Sequence, residues 1–283
     1  MPLNRLYKML KSDTTGFIGF IVLMAIILMT FVGPIFIPLD NTVRVDQIYQ
    51  APSLQHILGT ENMGRDIFSR IVNGGRDVLI VALLTGVLST IIAFFLGALA
   101  GFVGGKIDSF LMWIVDVFLT IPRLPLLMVL STVILLDNVY YLSGLLAALS
   151  WPALARAVRS QVLSIKTRDY IEAAKVLDLG TNHIVFKEIL PNLMGYVVIN
   201  FIFNMTAAVY SQVGLIFLGL VPLSGENWGL MIQFAWTRGA VFYSGSLMFI
   251  LAPIFVIALF QWSAIAFTRS LETIFNPRLR GAE

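Results

Sequence analysis

Two charged residues sit where a charge is costly: Asp116 and Arg123 fall inside an apolar run from Phe110 to Leu136. An ionisable group in hydrocarbon marks either a path for a polar solute or a partner on a neighbouring helix. Seven residues apart on one helix, the two would share a face and lie about 10.5 Å apart along its axis. They either line a pore for the charged termini of a substrate or pair with polar groups on adjacent spans, with Asp116 close to the inner interface. Asn204, Thr206 and Gln212 sit in a later apolar run. Their hydrogen-bonding groups serve either the same path or contacts between helices. Other chemistry is scarce. The chain has no cysteine, and its two histidines, His56 and His183, are far apart. That leaves no disulfide framework and makes a histidine-built metal site unexpected. No GxxxxGK[ST] phosphate loop occurs, so any nucleotide-driven work is done on another chain.

The elements that hold these residues are apolar throughout. Of 283 residues, 58% are hydrophobic and 12% charged, against about 25% charged in a soluble domain. Six runs have roughly the 20-residue length of a bilayer crossing: Phe17–Ile37, Val78–Val103, Phe110–Leu136, Val139–Val158, Met194–Leu220 and Ser246–Thr268. In lipid each must satisfy its own backbone, so all are expected to be helices. The first follows Arg5, Lys8 and Lys11 and is too long for a cleaved signal peptide, so it reads as a retained span. Every lysine falls on one side of the six-span topology, and the opposite segments hold only Arg44, Arg65, Arg70, Arg76 and Arg238. The lysine-rich side is cytoplasmic by the positive-inside rule.

This divides the chain into a cytoplasmic segment at 1–16, a first span at 17–37 and an extracytoplasmic segment at 38–77. A core at 78–268 follows, with a cytoplasmic loop at 164–191 within it, then a cytoplasmic tail at 269–283. The 38–77 segment contains "LGTENMGRDIFSRIVNGGRD", polar and glycine-rich, which reads as a loop leading into a short helix. Between 221 and 245, Trp228, Met231, Ile232, Ala235 and Trp236 recur at helical spacing, as in a short amphipathic helix at the outer interface. Gly97 and Gly101 in "GALAG" suit close helix packing.

The stretch "RDYIEAAKVLDLGTNHIVFKEILPN", Arg168 to Asn192, is the most polar part of the core. A helix over Ser164–Leu177 places Tyr170, Ala173, Ala174 and Leu177 on one face and Arg168, Glu172 and Lys175 on another. Gly180 is a natural stop, Thr181 or Asn182 can cap a second helix running to about Leu190, and Pro191 then ends it. The two alanines would let another surface approach the backbone. Alternatively, the apolar face covers the ends of the chain's own spans.

The order EAA, a break and "ILP" resembles the cytoplasmic loop of prokaryotic ABC importer permeases. Glu172, Ala173, Ala174, Leu190 and Pro191 match by position, while Asp178 stands where the family usually has glycine. "LGTENMGRDIFSRIVNGGR" (Leu58–Arg76), "IVDVFLTIPRLPLLMVL" (Ile114–Leu130), "NWG" (Asn227–Gly229) and "NPRLR" (Asn276–Arg280) resemble the dipeptide, oligopeptide and nickel subfamily, in particular its second permease subunit. Two positions depart from it: Glu61 and Asn276 stand where the subfamily usually has aspartate. The resemblance implies an all-α type I permease fold with six transmembrane helices and a coupling-helix loop, in a prokaryotic inner membrane with both termini cytoplasmic. It implies a second, homologous permease as heterodimer partner, two cytoplasmic ATPases carrying ATP and Mg, and an extracytoplasmic substrate-binding protein. This chain itself would bind lipid but no cofactor and no nucleic acid, and would not be an enzyme.

By the same resemblance, the ATPase-coupling residues are Glu172, Ala173, Ala174, Asp178, Gly180, Leu190 and Pro191. Glu172 either meets a basic residue of the ATPase or pairs within its helix with Arg168 or Lys175. Arg65, Asp66 and Arg70 either contact the binding protein and partner permease, or Asp66 and Arg70 form a local pair and cap the second span. Di- or oligopeptides are the expected cargo, with oligosaccharides or nickel complexes as alternatives. A secondary transporter or channel is the rival class, but it would more often show an inverted repeat, and none is visible.

Overall fold

The computed structural model describes residues 13–222 and 225–275, all helical or irregular apart from one isolated bridge between Thr60 and Asp66. The helices are α1 (Thr14–Phe31), α2 (Gly33–Phe36), α3 (Ile67–Val103), α4 (Gly105–Thr120), α5 (Arg123–Val133), α6 (Val139–Ile165), α7 (Asp169–Val176), α8 (Thr181–His183), α9 (Leu190–Phe217), α10 (Trp228–Thr237) and α11 (Leu247–Phe275). Among the described residues, five of them, with α9 extended back to Ile184, are long and apolar enough to cross a membrane. The bent pair α4–α5 makes a sixth span if counted as one. Arg5, Lys8, Lys11 and the "NPRLR" segment lie outside the described residues.

Short polar side chains start these helices. Asp13 accepts from the Gly16 amide at 3.2 Å, Asp66 from Ser69 at 2.7 Å, and Asn138 from Tyr140 and Tyr141 at 3.0 Å each. Each cap satisfies an amide that the first helical turn leaves without a partner. The second span is longer than its apolar run: α3 has 37 residues, about 55 Å at 1.5 Å per residue. The short helix expected in the 58–77 stretch is therefore the first turns of α3 itself. At its N-terminal end α3 meets the irregular segment 38–66 and α10, here termed the cap; at its C-terminal end it meets α7, the elbow.

Among the described residues four apolar clusters hold the bundle, the smallest around Ile202, Ala264 and Leu271. The cap-end cluster joins Ile67, Ile71 and Val78 to Val209, Trp228, Met231 and Phe249. The elbow-end cluster joins Phe94 and Ala98 to Trp151, Ala155, Val158 and Val162, and takes in Ile171 and Ala174 of α7. A third gathers Leu127, Leu136, Leu142, Leu146 and Leu215. The α3–α6 contact depends on Gly97 and Gly101. A Cβ at Gly97 would collide with the Ala155 carbonyl oxygen, and one at Gly101 would lie 2.9 Å from that of Arg159. Missing side chains let the two backbones touch.

Three sequence expectations need correction. The Phe110–Leu136 run is not one helix: α4 and α5 meet at 88° across Ile121 and Pro122. Pro122 disfavours helical geometry at Ile121, and neither Pro122 nor Pro125 has an N–H to give the ladder. Asp116 and Arg123 therefore share no helix face. The helix expected over Ser164–Leu177 is interrupted at Lys166–Arg168, between α6 and α7. Pro191 does not end a helix. It sits in the first turn of α9, preceded by a π turn over Ile184–Ile189, whose wider winding carries the chain continuously into the span.

Candidate functional site: the elbow, the membrane charges and the cap

The elbow is anchored on one side and open on the other. Ile171 and Ala174, three apart, are buried in the elbow-end cluster. The Lys166 ammonium donates to the Gly101 carbonyl at 2.9 Å, and Lys175 lies 5.9 Å from the Phe102 ring centroid. Asp169 and Glu172 in the first turn and Lys175 in the last suit the helix dipole. The outward side carries Tyr170, Ala173, Val176 and Leu177, the last two 86% and 69% exposed. Apolar side chains gathered on a surface mark a docking face. Glu172 is also exposed, and neither Arg168 nor Lys175 pairs with it among the described residues. Ala174, expected to face a partner, is instead covered by this chain; Ala173 alone of the two alanines is free.

The end of α7 is tightly closed. Asp178 adopts φ +50°; its amide donates to the Lys175 carbonyl at 3.0 Å, and that of Leu179 to Ala174 at 3.2 Å. These two bonds and the left-handed residue define a Schellman motif, in which glycine is the usual occupant. The helix therefore stops at Asp178 and not at Gly180. Gly180, at φ +75°, opens α8 without a side-chain cap. Leu190 packs on the elbow-end cluster, while Pro191 is exposed.

In the membrane-spanning part the candidate polar residues differ in their partners. Thr206 and Gln212 are buried ties: Gln212 Nε2 donates to the Val78 carbonyl at 2.8 Å, and the Thr206 carbonyl accepts from Gln261 at 2.9 Å. Both join helices. Asn204 is half-buried, 3.4 Å from Thr90 Oγ1. Asp116 is ion-paired with Arg156 of α6, and Asp108 takes both Nε and Nη2 of Arg159. Arg123 has a neutral partner, donating from Nη2 to Ser150 Oγ at 2.8 Å.

The cap is built around charge. Glu61 is fully buried and accepts from Arg65 Nε at 2.7 Å. Arg70, 2% exposed, lies between Glu61, at 3.4 Å, and Glu226, at 2.7 Å. Asp66 caps α3 and bonds His56 Nδ1 at 2.9 Å. The local Asp66–Arg70 pair, one of the two alternatives, is not formed, because Arg70 turns towards Glu61 and Glu226, where burial demands a counter-charge. Buried within the chain, Arg70 has no face to offer a partner. Tyr49 stacks on Tyr243 with ring centroids 5.1 Å apart. Burial, with the Glu61 carboxylate beside it, pushes the Tyr49 phenol above its ordinary pKa.

Comparison with known proteins identifies the family to which these features belong. The family described as "Binding-protein-dependent transport system inner membrane component" matches residues 93–281. The oligopeptide transport system permease protein OppC of Bacillus subtilis is 30% identical over 272 residues, covering 95% of this chain and 88% of the relative. The dipeptide transport system permease protein DppC of the same organism is 30% identical over 277 residues, or 97% and 85%. OppC of Lactococcus lactis is 30% identical over 228 residues, or 79% and 78%. The chain belongs to this family.

It is thus a multi-pass inner-membrane permease with the type I ABC importer fold, a transport subunit and not an enzyme. Three of the motifs that carried the resemblance fall at the bends and caps of the permease. Leu58–Arg76 spans the cap and the start of α3, Ile114–Leu130 contains the α4–α5 break, and Asn227 accepts from Gly229 at 2.8 Å to start α10. The sequence reading missed Glu226 as a counter-ion, although it directly precedes "NWG". The pairing of Asp116 with an adjacent span is one of the two outcomes the sequence allowed, but its partner Arg156, and the Arg159–Asp108 pair, were not foreseen.

Proposed function

We propose that this permease forms half of a pore that imports di- or oligopeptides, with the elbow docked on a cytoplasmic ATPase. Several lines support this reading. The relatives are oligopeptide and dipeptide permeases, and the lysine bias favours a cytoplasmic side for the elbow and both termini. The observation that carries it is the two-sided elbow. Ile171 and Ala174 bind it to the bundle, while Val176, Leu177 and the unpaired Glu172 face outward. A helix fixed to the span ends and unsatisfied on its outer side is suited to pass movement from a partner into the bundle.

In this mechanism two ATPases close beneath a heterodimer of this chain and a homologous permease. ATP and Mg stay on the ATPases, and a substrate-binding protein delivers cargo at the cap, where Arg65 and Asp66 are the candidate contacts. Closure draws the elbows together. The push passes through the π turn into α9 and through Lys166–Gly101 into α3. Cargo and nucleotide then bias one shared pair of states, which is the thermodynamic content of coupling.

Leu177→Glu tests the docking face. It places a charge on the exposed apolar surface without touching the bundle. Receptor-stimulated ATP hydrolysis and uptake of a labelled tripeptide are expected to fall by about tenfold or more, with the permease still folded in the membrane. Unchanged stimulation removes the elbow as the docking element. Uptake of nickel or oligosaccharide in place of peptide by the wild-type complex would overturn the cargo and leave the docking intact.

A further inference from the structure

We infer that Arg123 reads a carboxylate of the passing cargo, a role that rests on the peptide reading above and assigns its charge selection to one side chain. The residue opens α5 immediately after the 88° break. Its partner Ser150 lies 11 residues into α6, roughly 17 Å along the helix axis, which is near the middle of a hydrocarbon layer about 30 Å thick. Such a cation demands compensation. The neighbouring charges have it, since Arg156 is held by Asp116 and Arg159 by Asp108. Arg123 has a serine hydroxyl, and its buried Nε has no hydrogen-bond partner. Among the described residues no carboxylate reaches it.

The backbone beside it is also short of acceptors. The amides of Arg123 and Leu124 head a helix of 11 residues that has no side-chain cap. Guanidinium and helix N-terminus thus direct positive potential to one place. Ile121 and Leu124 at the break are exposed on the isolated chain. Interrupted helix at membrane depth is found against protein or a water-lined path, not lipid. The ligand chemistry that fits a planar fork of donors is a carboxylate, and every peptide with a free C-terminus presents one. A carboxylate on the second permease is the rival occupant.

The test uses the complete transporter, with its partner permease, ATPases and binding protein, reconstituted in liposomes. Uptake is compared for a dipeptide and its C-terminal amide, each rate normalised to receptor occupancy. The acid-to-amide ratio is expected to fall by about tenfold or more in Arg123→Gln. Arg123→Lys keeps the charge but loses the fork and should fall by about threefold. An unchanged ratio, with both rates reduced together, means that Arg123 answers a carboxylate of the partner permease and overturns the proposal. If Arg123→Gln does not assemble, as judged by co-purification, the lysine variant decides: a wild-type ratio overturns the proposal. Wild-type transporter that moves neither dipeptide overturns the peptide reading, and this proposal with it.

Discussion

At the cap, Glu61, Arg65, Arg70 and Glu226 lie against one another inside the chain, whereas at the elbow Asp169, Glu172 and Asp178 face outward and the buried side is apolar. The residue types are similar; the direction of the charges is opposite. Inward charges complete a structure, because each carboxylate has lost its water and is held by a guanidinium. Outward charges beside exposed Val176 and Leu177 leave binding capacity unfilled. One end of the permease is therefore a rigid plinth, and the other is a fitting for something else. Substitutions at the two ends should accordingly differ in kind, stability being lost at the cap and coupling at the elbow.

The largest effect is expected at Arg70. Arg70→Ala takes the guanidinium from the Glu226 carboxylate and leaves the buried Glu61 with Arg65 alone, at a cost of about 3–5 kcal/mol. Thermal unfolding of the purified permease should show it as a large drop in melting temperature or as loss of folded protein. Arg70→Lys, a single point charge that cannot span both carboxylates, should fall between. A melting temperature unchanged by Arg70→Ala would erase the contrast between the two ends.

The elbow was legible in the sequence and the cap network was not, for a physical reason. Glu172, Ala173, Asp178 and Gly180 lie within ten residues, so helix periodicity and stop signals locate them without knowledge of the fold. Glu61, Arg70 and Glu226 converge from 165 residues of chain, and no local rule brings Glu226 to Arg70. The same limit applies inside the bundle. The spans were readable from apolar length, but Asp108–Arg159 and Asp116–Arg156 pair across helices. Pro122 has no N–H to give a helix, yet the 88° angle follows from how α5 packs through Leu127 into a cluster with α6 and α9. At the elbow itself one position was misassigned: Ala174, grouped with Tyr170, Ala173 and Leu177, turns inward with Ile171, while the other three lie outward.

A smaller effect is expected at Glu172, and it should appear in docking and not in folding. Among the described residues the carboxylate has no partner, so Glu172→Ala should change stability by no more than about 0.5 kcal/mol. If it meets a basic group of the ATPase in a shielded contact, about 1.5–3 kcal/mol of docking free energy is lost, a factor of about ten to over a hundred. Titration of the ATPase onto the permease in nanodiscs, beside a melting curve, measures both quantities. Equal affinity with a lowered melting temperature would make Glu172 a structural residue and sharpen the docking face to the apolar side chains alone.

The smallest effect concerns the closure of the elbow. The permease uses the same motif elsewhere: at the end of α9, Gly219 at φ +73° donates to Ile216 at 2.9 Å, and Leu220 donates to Leu215 at 3.0 Å. There the left-handed position is a glycine and carries no steric cost. At the end of α7 the same two bonds are made, but Asp178 holds the left-handed position. A side chain with a Cβ in that region is strained by about 1 kcal/mol or more, with aspartate among the residues that tolerate it best. Asp178→Gly should therefore firm the closure by up to about 1 kcal/mol, read as slower hydrogen exchange of the Asp178 and Leu179 amides. Gly219→Asp should weaken the end of α9 by a similar amount. If Asp178→Gly loosens the elbow instead, the aspartate side chain itself supports the turn, and the greater backbone freedom of glycine outweighs the strain it relieves.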